Sequence, residues 1–188
     1  MFNQLTTMPY IPYNIISHLA QDEKAEDFWK LLKYNEEDAL SKPNLTLSEK
    51  LALVCKNNAD QNDYSVFLTR LIENEQVEER SILKLYKTTT TPEDNIKAIC
   101  VYAFDILTGA KTTIVEYNGI PCSRLDVMEA LLVQSLNGVD VQGVGLLQYN
   151  RQLSRSCGAV YGIGNNTNYQ GVAVAMAVRV SGLDDREC

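Results

Sequence analysis

The N-terminal third of the chain has the hydrophobic spacing of amphipathic helices. The pattern predicts one helix over residues 14–20, after a proline-containing turn, and a second over residues 23–34. The apolar residues of the second helix form one stripe, which consists of Ala25, Phe28, Trp29, Leu31 and Leu32. Thr46 and Glu49 have the spacing of a capping box, which predicts a short third helix.

From Tyr64 onward the pattern changes to one typical of strands. Two short β-rich segments, at residues 64–68 and 81–87, precede an almost continuously apolar run at 98–107. Such a run is typical of a central strand that is buried on both faces. Residues 112–117 are predicted to be the hairpin partner of this strand.

The clearest helical signal covers residues 124–136. Ser123 can cap its N-terminus, and Asp126 lies in the first turn, where a negative charge is favourable. Asn137 and Gly138 are expected to end the helix, because glycine suits the left-handed position that follows a helix.

The C-terminal part predicts a strand at residues 144–149, a long polar loop at 150–170 and a closing strand at 172–180. Along the closing strand, valine and methionine alternate with alanine, so one face is bulky and the other small. The alanine face is expected to receive the helix at 124–136, because small side chains allow close approach.

This order of elements predicts an α+β protein. Helices come first, followed by a β-β-β-α-β-β unit with a mostly antiparallel sheet packed on one long helix. The polar run at residues 56–63 is a plausible linker. We therefore expect an N-terminal helical extension, residues 1–63, and an α+β domain, residues 64–188.

The charge of the chain is acidic and unevenly placed. The net charge is −7, of which residues 1–80 carry −6 and residues 81–188 carry −1. This balance argues against sequence-independent nucleic-acid binding, which needs Lys and Arg to neutralise phosphates. No apolar run reaches the roughly 18 residues of a membrane-spanning helix, and no secretory signal pattern opens the chain, so we expect an intracellular protein without membrane contact.

Residues with reactive side chains are scattered. The five cysteines are far apart and form no Cys-x-x-Cys pair, which argues against a zinc site or a disulfide scaffold. His18 is the one histidine, and no acid or cysteine lies near it at a catalytic type of spacing. We therefore expect no catalytic residue, no metal and no cofactor.

The glycine-rich segment at residues 156–166 keeps one alternative open. A phosphate-binding loop follows a strand and begins a helix, whereas this segment leads into a strand and has no Walker-type Gly-Lys-Ser/Thr. The alternative is a small intracellular α/β enzyme or ligand-binding domain that uses this segment. A loop that contacts a neighbouring subunit is the favoured interpretation.

Arginine and aromatic residues are concentrated around this segment and at the start of the long helix. Arginine, tyrosine and tryptophan are the residues most enriched at protein interfaces, although a solvated surface role is the simpler reading of each arginine. The candidate interface residues are Trp29, Arg124, Tyr149, Arg151, Arg155, Tyr161 and Tyr169.

Several spaced segments carry a family resemblance. They are IPYNII at 11–16, FWKLLKY at 28–34, DAL at 38–40, KPNLT at 42–46, the helix with its Leu-Asn-Gly end at 124–138, and YQG at 169–171. Together they resemble neck proteins of tailed bacteriophages, the head-to-tail connector and tail-completion subunits, and the later part is similar to tail-terminator folds.

The resemblance implies a structural function. Such subunits form rings, often hexameric or dodecameric, between the portal or adaptor complex and the tail tube. Genomic DNA passes through the ring without sequence-specific binding, so an acidic wall is compatible with it. The expected location is the neck or tail of the virion, after assembly in the host cytoplasm.

Overall fold

The computed structural model describes residues 8–57, 61–71, 79–94, 97–157 and 169–181, except for the side chains of 62, 155–157 and 181. The α-helices are α1 (Ile11–Gln21), α2 (Glu26–Lys33), α3 (Leu47–Ala52), α4 (Arg124–Leu136) and α5 (Arg151–Cys157). The strands are β1 (Val66–Phe67), β2 (Ile82–Pro92), β3 (Lys97–Gly109), β4 (Ile114–Tyr117), β5 (Ile120–Ser123), β6 (Asp140–Val141), β7 (Gly145–Leu146), β8 (Gln148–Tyr149) and β9 (Tyr169–Ser181). The α+β prediction is confirmed.

The N-terminal helices follow the predicted pattern with shifted ends. Helix α1 begins earlier than expected, because Pro12 lies in its first turn, where the missing N–H costs no helical hydrogen bond. The capping box of α3 is confirmed: the backbone N–H of Glu49 donates to Thr46 Oγ1 at 3.3 Å. In return, the N–H of Thr46 donates to Glu49 Oε2 at 2.8 Å.

A five-stranded sheet, with the order β1-β2-β3-β9-β8, organises the rest of the fold. Strand β3 is central, as predicted, and pairs antiparallel with β2 and with β9 along its length. Strand β1 is parallel to β2, and the other pairings in this sheet are antiparallel. Strand β2 continues through the threonines to Pro92, beyond the predicted end at Lys87, because an irregularity between Lys87 and Thr89 lets the pairing resume.

The prediction that residues 112–117 pair with the central strand is wrong. Strand β4 pairs with β5 in a separate hairpin. After Gly109 a short 3-10 turn leads the chain away from the sheet. Asn118 and Gly119, with φ of 53° and 76°, then form a two-residue loop of the kind that suits a tight hairpin. The Asn-Gly pair was the local signal for this hairpin.

The predicted strand at 144–149 is split, and the predicted loop at 150–170 begins with a helix. Gly143 and Gly145 have φ of 73° and 108°, so the chain turns sharply between β6, β7 and β8. Asn150 starts α5 by accepting the N–H of Leu153 at 3.0 Å on its side-chain oxygen.

The prediction that the alanine face of the closing strand receives the long helix is also wrong. In one continuous core, the valine and methionine side chains of β9 pack with α4 and with the aromatic side chains of β3: Val174, Met176, Val178, Met128, Leu132, Leu136, Tyr102 and Phe104. The larger side chains bury more apolar area against a helix than alanines would. Helix α5 lies along the edge of β9 beyond β8, where the backbone N–H of Ala175 donates to Ser154 Oγ at 2.9 Å.

The same core contains the N-terminal helices. Ile15 of α1 and Phe28 of α2 are fully buried in it together with Phe104 and Met128. The two parts share this core, and the division into a helical extension, residues 1–63, and an α+β domain, residues 64–188, stays a prediction.

Gly171 allows close packing between β3 and β9, which gives a test of the sheet. A Cβ at this position would lie 2.5 Å from Leu107 Cδ2 and 3.0 Å from the carbonyl oxygen of Ile106. We expect Gly171→Ala to lower the free energy of unfolding by about 1–3 kcal/mol, because such overpacking forces shifts in the neighbours. Urea denaturation followed by circular dichroism measures this. Thr91→Ala, on the exposed part of β2, is the control, and equal stabilities of the two variants would contradict the close approach.

Candidate functional site

Among the predicted interface residues that the structure describes, Arg124 makes four side-chain hydrogen bonds, all of them inside the protomer. It is fully buried at the start of α4. Its Nη1 donates to the carbonyl oxygens of Leu31 and Tyr34 at 3.2 and 2.7 Å. Its Nη2 donates to those of Asn35 and Glu36 at 3.0 and 2.6 Å. The guanidinium therefore binds the C-terminal end of α2, where carbonyl groups lack helical partners and a positive charge is favourable.

The backbone of Arg124 makes a further connection. Its N–H donates to the carbonyl oxygen of Thr113 at 2.8 Å, just before the β4–β5 hairpin. Burial lowers the pKa of the guanidinium from its usual value, and the nearby charge of Glu36 opposes this effect. One residue thus joins α2, the hairpin and α4.

Trp29 is also enclosed by the protomer. It is fully buried, and its indole N–H donates to the carbonyl oxygen of Leu19 at 3.0 Å. Lys50 donates to the next carbonyl, that of Ala20, at 3.3 Å, and forms an ion pair with Glu26 at 2.6 Å. Trp29 of α2 and Lys50 of α3 thus bind carbonyl groups in the last turn of α1, and these hydrogen bonds connect the three helices.

The other predicted interface residues lie around the C-terminal part of the sheet. Tyr169, at the start of β9, is buried in a small second cluster, and Tyr149, on β8, is half-buried. Arg151 is exposed at the start of α5. The side chain of Arg155 and all of Tyr161 lie outside the described residues, as does most of the glycine-rich segment at 156–166. The structure therefore brings Trp29 and Arg124 into one helical assembly, apart from the β8–β9 residues.

The described residues contain no group of three or more His, Cys, Asp and Glu side chains placed to hold a metal ion. His18 is half-buried on α1, and Cys55, Cys100 and Cys122 are free thiols. A partly buried polar contact lies on the alanine face of the sheet, where Tyr86 donates to Asp105 Oδ2 at 2.9 Å. Within the same described part of the chain, no helix is both long and apolar enough to cross a membrane.

The surface that sequence reasoning missed is an apolar groove between the β4–β5 hairpin and α4, which we call the hairpin groove. Tyr117 and Cys122 line it from the hairpin, and Val127, Ala130 and Leu131 line it from the helix. Ile114 and Ile120 of the hairpin are 52% and 62% exposed. The Asn-Gly turn signals the hairpin, but the hairpin's position against α4 depends on the tertiary contacts of Arg124.

These features define an α+β protein with three leading helices, an antiparallel-rich sheet and polar side chains that join helix ends. A model of the YomW family matches residues 25–178, so the chain belongs to the YomW family. The family takes its name from a gene in a Bacillus phage region, which is consistent with a phage-related protein. No curated protein sequence matches the chain.

The Arg124 contacts predict a stability effect that surface arginines lack. We expect Arg124→Met to lower the free energy of unfolding by about 3 kcal/mol, because buried carbonyl groups lose a charged donor. Arg124→Lys is expected to recover part of this loss, since it keeps the charge but not the forked geometry. Urea denaturation measures both, with Arg151→Met as the matched control, which is expected to stay within about 0.5 kcal/mol of wild type. Equal effects at positions 124 and 151 would refute the structural role.

Proposed function

We propose that the chain is a structural subunit of a phage head-to-tail connection, a neck or tail-terminator ring that joins the portal or adaptor complex to the tail tube. Membership in a phage-related family carries this proposal, because the matched region, residues 25–178, includes α2, α3, α4 and most of the sheet. The resemblance of the segments at 11–46, 124–138 and 169–171 to neck proteins supplies the specific role.

The polar side chains that bind within the protomer support a role in assembly. Three side chains donate hydrogen bonds to backbone carbonyl groups at helix ends inside the protomer: those of Arg124, Trp29 and Lys50. The clear pKa shifts of two buried groups come from burial itself and belong to different elements: burial raises the pKa of the Tyr102 phenol on β3 and lowers that of the Arg124 guanidinium on α4. Perturbed groups that worked together in catalysis would be expected to converge on one cleft.

The exposed apolar side chains support the same role. Large apolar residues are exposed at several separate elements, including Tyr10 beside α1, Leu71 after β1 and Ile120 on the hairpin. A subunit that lies in a ring and contacts other proteins above and below needs several contact surfaces. The net charge of −7 would also keep passing DNA from adhering to the ring.

The proposal predicts a closed oligomer. The full-length chain, alone or mixed with the portal, adaptor and tail-tube proteins of the same phage, is expected to form rings, hexameric or dodecameric, that contain no added nucleotide or metal. Size-exclusion chromatography with light scattering gives the mass, and negative-stain imaging shows whether the particle is closed. A protein that stays monomeric at every concentration and binds none of these partners would contradict the proposal.

The same preparation tests the alternative of a small enzyme or ligand-binding domain. Ligands that bind only the folded state raise its melting temperature, and the rise grows with the logarithm of the ligand concentration above Kd. We expect no thermal shift with nucleotides. A shift that Gly162→Val or Gly164→Val abolishes would instead favour the ligand-binding alternative.

A further inference from the structure

The hairpin groove has the size and chemistry of a small docking site. It encloses about 310 Å³ between the β4–β5 hairpin and α4. Its walls are mainly apolar and come from Tyr117, Cys122, Val127, Ala130 and Leu131. Ala130 is exposed, so the groove is open to solvent along α4. An apolar side chain that enters would be removed from water on several sides, which is favourable in proportion to the area buried.

The edge of the groove is acidic. Asp126 lines it and is exposed, and Glu129 follows one helical turn later. Burial raises the pKa of the Glu129 carboxyl, and the charge of Asp126 raises it further. A positive charge beside these carboxylates would relieve their repulsion. The groove therefore fits an apolar side chain that is next to a Lys or Arg.

The chain itself carries such a pair at Arg70 and Leu71, just after β1. Leu71 is 82% exposed, the largest exposed fraction of any large apolar side chain in the described ranges. Arg70 is exposed as well, and its guanidinium carbon lies 5.9 Å from the centre of the Tyr86 ring. A cationic side chain and an apolar side chain are thus exposed at adjacent positions, Arg70 and Leu71.

The groove and this pair are on opposite sides of the sheet. Tyr86 and Leu85 are neighbours on β2, so their side chains point to opposite faces. Leu85 belongs to the core that contains α4, whereas Tyr86 contacts Asp105 on the other face, beneath Arg70. Arg70 and Leu71 therefore cannot reach the groove of their own chain. Two different, complementary patches are the requirement for a head-to-tail contact, which closes into a ring when the rotation between successive copies divides a full turn and otherwise builds an open filament.

We propose that the hairpin groove binds Leu71 and Arg70 of a second copy of this chain, with Leu71 between the hairpin and α4 and Arg70 beside Asp126. This inference rests on the proposed ring function and names the contact that builds the ring. The two patches are complementary, because the groove is apolar with an acidic edge and the Arg70-Leu71 pair is apolar with a positive charge. Each copy of the chain carries both patches.

Two variants that block opposite halves of the contact test the proposal. Leu71→Asp removes the inserted side chain and adds repulsion at the acidic edge, while its groove stays intact. Ala130→Arg fills the groove, and arginine is a good helix former, so α4 is preserved. Each variant alone is expected to be monomeric by light scattering at concentrations where wild type forms rings. An equimolar mixture is expected to form a one-to-one dimer and nothing larger, because only one functional contact can be made.

Ala52→Arg is the matched control, since it places the same side chain at an exposed alanine on α3 and should leave assembly unchanged. Circular dichroism and thermal unfolding show that each variant is folded. Rings formed by either single variant would overturn the proposal, as would a mixture that contains only monomers.

Cys122 provides an independent readout, because its thiol lines the groove. In wild-type rings we expect iodoacetamide to modify Cys122 at least tenfold more slowly than in the monomeric variants, with Cys55 as the internal reference. Assembled rings with an equally reactive Cys122 would overturn the groove contact and leave the ring function standing. Protection of Cys122 only when tail or portal proteins are added would assign the groove to one of them and overturn the self-contact. A wild-type chain that never assembles would overturn both proposals.

Discussion

The fold depends on the clamp that Arg124 forms between the leading helices and the sheet domain. Its side chain binds four carbonyl oxygens at the end of α2, and its backbone N–H binds Thr113 before the hairpin. The segment that follows α2 also binds the hairpin directly, because the N–H of Glu116 on β4 donates to the carbonyl oxygen of Glu37 at 2.9 Å. The guanidinium therefore joins α4 to the end of α2, and these two backbone hydrogen bonds join the hairpin to both.

Charged and aromatic side chains elsewhere in the leading helices work in a related way. Trp29 and Lys50 bind carbonyl groups in the last turn of α1, and Lys30 binds that of Leu40 at 3.0 Å. Helix ends that are buried without such donors would leave carbonyl groups unsatisfied, at a cost of about 1–3 kcal/mol each. Residues that are typical of interfaces thus appear here as internal connections. In the part of the chain that the structure describes, exposed apolar side chains include Ile114 and Ile120 of the hairpin.

Much of the fold follows from local sequence. Alternation and apolar runs identified β3 and β9, a 3.6-residue pattern identified α2 and α4, and Thr46 with Glu49 marked the start of α3. These signals are reliable because they depend on residues that are neighbours along the chain. The sequence also showed the acidic balance and the scattering of His18 and the cysteines, and its resemblance to phage neck proteins agrees with membership in a phage-related family.

Tertiary structure decided which strand pairs with which and which face is buried. The pairing of β4 with β5 is an exception, because the turn after Gly109 and the Asn118-Gly119 loop, which are local features, direct it. The valine face of β9 receives α4 because the aromatic side chains of β3 lie on that same face. Arg124 looks like a surface arginine in the sequence, and only the fold brings it within hydrogen-bond distance of residues some 90 positions earlier. The sequence by itself determined most of the elements, apart from α5 and the split at 144–149. Contacts between distant residues determined their arrangement, because burial and pairing energies depend on neighbours that local patterns do not contain.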